Sequence, residues 1–187
     1  GPAMYATGPR PIEELPSLLH EVLLAEHLIE VGGSLAAHAR NRLLECIEGN
    51  LYDQTANAAF KRRIAAAVDS GETLSADRIA EAYRETQTRF DPAQDQCEHS
   101  RYEWLTGALY REAFHHYQYV LGAVGALQVR ESLRNDDLDA AAYRECLCST
   151  GRVDPLELFE RLGVDLTTSA PYERATAAFD EYVDEWV

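Results

Sequence analysis

Two histidines and two tyrosines are crowded near the middle of the chain. They are His115, His116, Tyr117 and Tyr119, and on a helix they would occupy about one and a half turns. An imidazole can exchange a proton near neutral pH, and a phenol can donate a hydrogen bond. We therefore take His115, His116 and Tyr117 as the candidate catalytic residues.

The same turn carries one half of a metal-binding pattern. Glu112 and His115 have the Glu-x-x-His spacing of di-iron helical bundles, with Glu14 or Glu21 as possible partners from another helix. Such bundles need two of these motifs, and the sequence contains one. We therefore predict no bound metal or other cofactor, although zinc and iron stay open, with Glu14, Glu112 and His115 as the weak metal-ligand candidates.

A second set of polar residues lies on the first predicted helix. Glu14 and Glu21 are seven positions apart, as are His20 and His27, so each pair shares a face. Because two turns rise by about 10 Å, neither pair alone can hold one metal ion. They are either solvated side chains or the polar lining of a cleft, for which the ligand-binding candidates are Glu14, His20, Glu21, Tyr110 and Tyr119.

A long central helix would position the aromatic turn. Residues 101–133 contain no proline, and residues 104–129 are almost continuously apolar or aromatic, which is typical of a helix surrounded by others. Helical spacing also begins at Pro11 and ends at Gly32. Further helices are predicted after caps at Ser34, Ser75 and Asp154, over residues 51–68 and 138–148, and from Pro171. With no alternating β pattern, the fold class is all-α.

Composition limits the domain organisation and the classes of partner. The chain has 187 residues and a net charge of −15, so it would repel nucleic acid. No apolar run approaches the ~20 residues that span a bilayer, so no membrane partner is expected. Residues 1–10 are interpreted as a cloning scar and flexible N-terminus, with Met4 as the native start, and 11–187 as one helical domain. Four irregularly spaced cysteines indicate reduced thiols and a cytoplasmic location.

Five ordered segments of the chain carry distinctive motifs. Residues 71–77 read Gly-Glu-Thr-Leu-Ser-Ala-Asp, residues 117–122 read Tyr-Gln-Tyr-Val-Leu-Gly, and the other segments are 19–28, 51–60 and 155–167. Together they resemble the oligoendopeptidase F group of the M3 zinc metallopeptidases, and the resemblance extends from about residue 12 to 186. It implies the C-terminal, cleft-forming half of the peptidase fold.

The departures from that family concern its zinc site. The His-Glu-x-x-His motif that binds zinc is absent from the sequence, while Glu14 falls at the family's third ligand. Tyr117 falls at the phenol that supports the oxyanion, but Ala108 replaces a family histidine, and His115 and His116 replace Tyr and Val. Tyr52, Gln54 and Asn57 are interpreted mostly as structural residues.

Three functions from different classes follow. The first is a metal-free helical protein that binds a peptide or small molecule in a residual cleft. The second is a repurposed enzyme that uses His115, His116 and Tyr117 for acid/base chemistry on a small molecule. The third is a subunit of a split metallopeptidase. Because half of the family's core is missing from the sequence, we also expect a homodimer or a partner chain to cover an exposed apolar face.

Overall fold

A computed structural model describes residues 10–93, 99–105 and 115–186, and all regular structure in these ranges is helical. Short 3-10 helices cover Gly33–Leu35 and Ser100–Leu105, and Glu48–Asp53 forms a π-helix. The prediction of an all-α fold is confirmed. The α-helices are α1 (Arg10–Val31), α2 (Ala36–Ile47), α3 (Gln54–Asp69), α4 (Ala76–Phe90), α5 (His115–Arg134), α6 (Ala140–Cys148), α7 (Pro155–Arg161) and α8 (Ala170–Trp186).

The contacts divide the chain into two compact units. The first unit comprises residues up to Leu51 and from Gln118 onward, and the second comprises Tyr52–Tyr117. The prediction of one domain over residues 11–187 stays a prediction.

In the first unit, α1 forms because its apolar residues recur at helical spacing and are buried together. Pro16 lies inside the helix, where it removes one backbone hydrogen bond, yet α1 already begins at Arg10. Gly32 and Gly33 end the helix with positive φ angles of 76° and 80°, as the sequence predicts. The buried apolar residues of α1 are Ile12, Leu15, Leu18, Leu19, Val22 and Ala25.

The described part of the central helix, α5, is buried as predicted, and residues 106–114 of the predicted helix lie outside the described ranges. Residues 122–129 are all buried. A Cβ atom on Gly122 would lie 2.7 Å from Cβ of Glu14, and one on Gly125 would collide with the Phe159 ring. These two glycines therefore allow α1 and α7 to approach α5 closely.

Three predicted boundaries need correction. Residues 101–105 belong to a 3-10 helix, which apolar spacing alone does not distinguish from an α-helical turn. Ser34 lies inside another 3-10 turn, and Leu35 precedes α2 with no side-chain cap. The helix predicted from Leu138 starts at Ala140, because the carboxylate of Asp139 caps it by accepting hydrogen bonds from Ala141 N and Ala142 N at 2.7 and 2.8 Å.

The second unit is built on α3 and α4. Ser75 caps α4 as predicted, accepting a hydrogen bond from Arg78 N at 3.3 Å. The Phe60 and Tyr83 rings meet edge to face with centroids 5.1 Å apart, inside a small core that also contains Trp104. This core holds α3 against α4.

Several large apolar side chains of the first unit remain exposed, among them Leu24, Val31 and Leu35. The prediction that a second copy or a partner chain covers such a face stays a prediction. Within the described ranges, no helix has the length and apolar character required to cross a bilayer.

Candidate functional site

His116 is the most strongly constrained of the predicted site residues. It lies in the first turn of α5, and only 4% of its surface is exposed. Its Nδ1 atom lies 2.6 Å from Oε1 of Gln54, the first residue of α3. Because an amide oxygen can only accept, Nδ1 carries the proton, and Nε2 keeps a lone pair.

That lone pair is left without a partner. Nε2 of His116 is buried, and no group among the described residues forms a hydrogen bond with it. Buried polar atoms are normally satisfied, because an unmade hydrogen bond costs about 1–3 kcal/mol. The site therefore presents one acceptor atom of fixed orientation to any donor that enters.

The surroundings of His116 keep its imidazole neutral. Burial lowers the pKa of His116 to about 4, and electrostatic interactions with Lys61 and His115 lower it further. The imidazole is therefore uncharged at pH 7 and available as a hydrogen-bond acceptor. For acid/base chemistry near neutrality, this pKa makes His116 a poor proton donor.

The neighbouring candidates differ in exposure. The ring of His115 is half-buried and meets the His116 ring edge to face, with centroids 5.5 Å apart. Tyr117 is 43% exposed. The start of α5 thus combines one buried imidazole, one half-buried imidazole and one exposed phenol, all belonging to the second unit.

Gln54 was missed as a site residue, because the sequence indicated only a structural role for it. It lies 62 positions from His116, so no local spacing connects the two. The only available signal was indirect, because Gln54 falls within one of the family-like segments.

The candidates on α1 have different neighbours from one another. Glu14 is half-buried where α1 meets Gly122, and the exposed His20 ring packs edge to face on Tyr143 with centroids 6.4 Å apart. The exposed Glu21 lies beside Cys46, whose pKa is raised to about 12 by burial and by that carboxylate. A role for Glu14, His20, Glu21 and the half-buried Tyr119 in ligand binding stays a prediction.

The metal-ligand candidates do not form a zinc site in the described ranges. Tyr110, Glu112 and Ala108 fall outside those ranges. Among the described residues, no group of three or more His, Cys, Asp or Glu side chains lies close enough together to hold a metal ion. Zinc in proteins takes three or four protein ligands, so Glu14 alone does not fit it.

A second polar cluster lines a cavity of about 830 Å³ in the first unit. Oε1 of Glu26 accepts hydrogen bonds from Arg130, from Arg134 at 3.2 Å and from the phenol of Tyr182 at 2.6 Å. Glu26 was not predicted as a site residue, although it lies within the family-like segment 19–28. Because the chain's own donors satisfy this carboxylate oxygen, the cluster is best explained as a structural link between α1, α5 and α8.

Most of the chain matches known proteins in sequence. The sequence model of peptidase family M3 matches residues 5–178. Oligopeptidase PepF of Bacillus subtilis is 24% identical over 178 residues, which cover 93% of this chain and 27% of that protein. Group B oligopeptidase PepB of Streptococcus agalactiae is 26% identical, over 93% of this chain and 30% of its own length.

A solved structure leads to the same family. The crystal structure of a predicted peptidase from Chlamydophila abortus superimposes with a TM-score of 0.84 and 26% identity. The match covers 98% of this chain and 32% of the other. This chain thus spans about a third or less of the length of these three proteins. The predicted resemblance is confirmed, and the chain belongs to peptidase family M3.

Proposed function

We propose that this chain binds a peptide segment at the start of α5, with Nε2 of His116 accepting a hydrogen bond from the ligand. One observation carries the proposal, the buried acceptor nitrogen without a partner among the described residues. A donor supplied by a ligand would remove the cost of the unmade hydrogen bond, about 1–3 kcal/mol. The unmade hydrogen bond of Nε2 in the free protein would therefore increase the affinity for a ligand that supplies a donor.

Two further features support a peptide as the ligand. The matched relatives are named oligopeptidases, and every non-proline residue of a peptide offers a backbone N–H donor. The exposed Tyr117 beside His116 offers an aromatic surface for a side chain. Since Nε2 is itself buried, the ligand must displace neighbouring atoms, and we expect local rearrangement at the start of α5.

Binding is better supported than acid/base catalysis through His116. A general acid or base works best with a pKa near the working pH, whereas burial lowers the pKa of His116 to about 4. The role of a subunit in a split metallopeptidase stays a separate prediction. It rests on Glu14 and on the family-like position of Tyr117.

The test is peptide affinity measured by fluorescence anisotropy. The probes are fluorescein-labelled heptapeptides of acidic, basic and apolar composition, added to the wild-type chain and to His116→Val. Valine is the residue that the family resemblance places at this position. Because one hydrogen bond is worth about 1 kcal/mol, we expect the variant to bind about fivefold more weakly. His38→Val, which changes an exposed histidine in the other unit, should leave the affinity unchanged.

Two results would contradict the proposal. One is that no heptapeptide binds, or that His116→Val binds as tightly as the wild type. The other is peptide cleavage that depends on added zinc, detected by mass spectrometry of the same mixtures. Zinc-dependent cleavage would favour the metallopeptidase alternative over metal-free binding.

A further inference from the structure

The geometry points to Gln54 as the residue that sets the ligand specificity of this site. Its amide oxygen accepts a hydrogen bond from Nδ1–H of His116, so the proton stays on Nδ1 and Nε2 can only accept a hydrogen bond. We infer that the site selects a neutral backbone N–H donor of a peptide and rejects carboxylates. This inference rests on the proposed function, and it assigns Gln54 a positioning role, because Gln54 acts through His116.

Gln54 directly follows a π-helix, which is a rare element in proteins. The π-helix Glu48–Asp53 connects α2 to α3, and Gln54 is the first residue after it. Nδ2 of Asn50 donates a hydrogen bond to the backbone oxygen of Cys46 at 2.8 Å within this turn. Since each helical residue advances the direction of a side chain by about 100°, the register after the π-helix decides whether Gln54 faces His116.

Charge around His116 narrows the ligand class further. Among the described residues, Lys61 on α3 and His115 on α5 lower the pKa of His116, and the Lys61 ammonium disfavours a second positive charge nearby. A ligand ammonium would meet the same repulsion. A ligand carboxylate would place its lone pairs against the lone pair of Nε2. A neutral donor avoids both penalties.

The first experiment tests the tautomer without any ligand. Nitrogen-15 NMR of histidine-labelled protein at pH 7 should show a protonated Nδ1 and an unprotonated Nε2 for His116, assigned by its loss in His116→Val. Gln54→Leu should lose the preference for this tautomer. Gln54→Glu should keep it and raise the pKa of His116 by about one unit or more, through the added negative charge. His38 is the internal control, and its signals should be the same in all variants.

A proton on Nε2 of His116 in the wild type would overturn the inference, whatever the peptide experiment shows. An unchanged tautomer in Gln54→Leu would overturn it equally. Because neither result requires a bound peptide, failure here is distinguishable from failure of the proposed binding function.

The second experiment tests the selectivity. The heptapeptide that binds most tightly is resynthesised with each backbone amide N-methylated in turn, which removes one donor at a time. We expect methylation at one position to weaken binding to the wild type about fivefold, which corresponds to one hydrogen bond. The same methylated peptide should bind His116→Val as tightly as the unmethylated peptide does. If all positions tolerate methylation, or if the same loss occurs in His116→Val, Nε2 does not receive a backbone amide and the inference is wrong.

Discussion

At the scale of single residues, the contact between His116 and Gln54 is the one on which the proposed binding function depends. The hydrogen bond of 2.6 Å between them fixes a tautomer, and burial keeps the imidazole neutral. The same atoms that would recognise a ligand thus weaken the free protein, since Nε2 is buried without a partner among the described residues.

This arrangement predicts how folding stability depends on pH. The pKa of His116 is about 4 in the folded chain, against an ordinary value of 6.5 for a histidine in an unfolded chain. Between these values the unfolded chain binds more protons, so the contribution of His116 to stability falls as the pH is lowered through this range. From pH 7 to pH 5 we expect a loss on the order of 2 kcal/mol from this residue.

Urea denaturation of the wild type and His116→Val at both pH values measures that loss. The stability difference between the two proteins should shift by about 2 kcal/mol in favour of the variant at pH 5. An identical pH dependence in both proteins would show that His116 is not held neutral by the fold. His38→Val, at an exposed histidine, serves as the matched control.

At the scale of secondary-structure elements, the close approach of α1 and α5 depends on a glycine. Gly122→Ala would place a methyl group 2.7 Å from Cβ of Glu14, and such overpacking costs about 1–3 kcal/mol. Gly49→Ala is the matched control, because nothing lies within 4 Å of the added Cβ and the φ angle of Gly49 is not positive. Urea denaturation should show a lower free energy of unfolding for Gly122→Ala and not for Gly49→Ala. An equal change in both variants would contradict the close packing of α1 against α5.

The link between α1, α5 and α8 gives a second prediction at this scale. Tyr182→Phe removes a 2.6 Å hydrogen bond to the carboxylate of Glu26, whereas Tyr172→Phe removes a 3.1 Å hydrogen bond to the backbone oxygen of Leu166. Hydrogen bonds to charged groups are about twice as strong as those between neutral groups. We therefore expect the free energy of unfolding to fall by about 2 kcal/mol in Tyr182→Phe and by about 1 kcal/mol in Tyr172→Phe, measured by thermal or urea unfolding. A larger loss of stability in Tyr172→Phe than in Tyr182→Phe would show that the phenol of Tyr182 does not stabilise the Glu26 cluster.

How far the sequence predicts the structure differs between elements and contacts. Apolar spacing and caps such as Ser75 and Asp154 locate most helices, because those signals are local. The π-helix, the Gln54–His116 bond and the Glu26 cluster were not predicted, because each depends on contacts or registers that no local pattern encodes. A functional role for the predicted histidines stays a prediction, and Gln54, the hydrogen-bond partner of His116, was not identified from the sequence.

At the scale of the whole molecule, membership of peptidase family M3 accounts for the helical fold. The chain covers 27–32% of the matched relatives, so the activity of a whole M3 protein comes to it only as a proposal. With a net charge of −15, the surface as a whole favours neutral or basic peptides over acidic ones. Association with a second copy or a partner chain remains a prediction.

The most direct test of the central claim is the nitrogen-15 signal of Nε2 of His116 with and without saturating heptapeptide. Our account predicts that this signal moves toward the position of a hydrogen-bonded acceptor when peptide binds, while the signals of His38 stay in place. Peptide binding that leaves the Nε2 signal of His116 unchanged would contradict the account, because the ligand would then be held elsewhere.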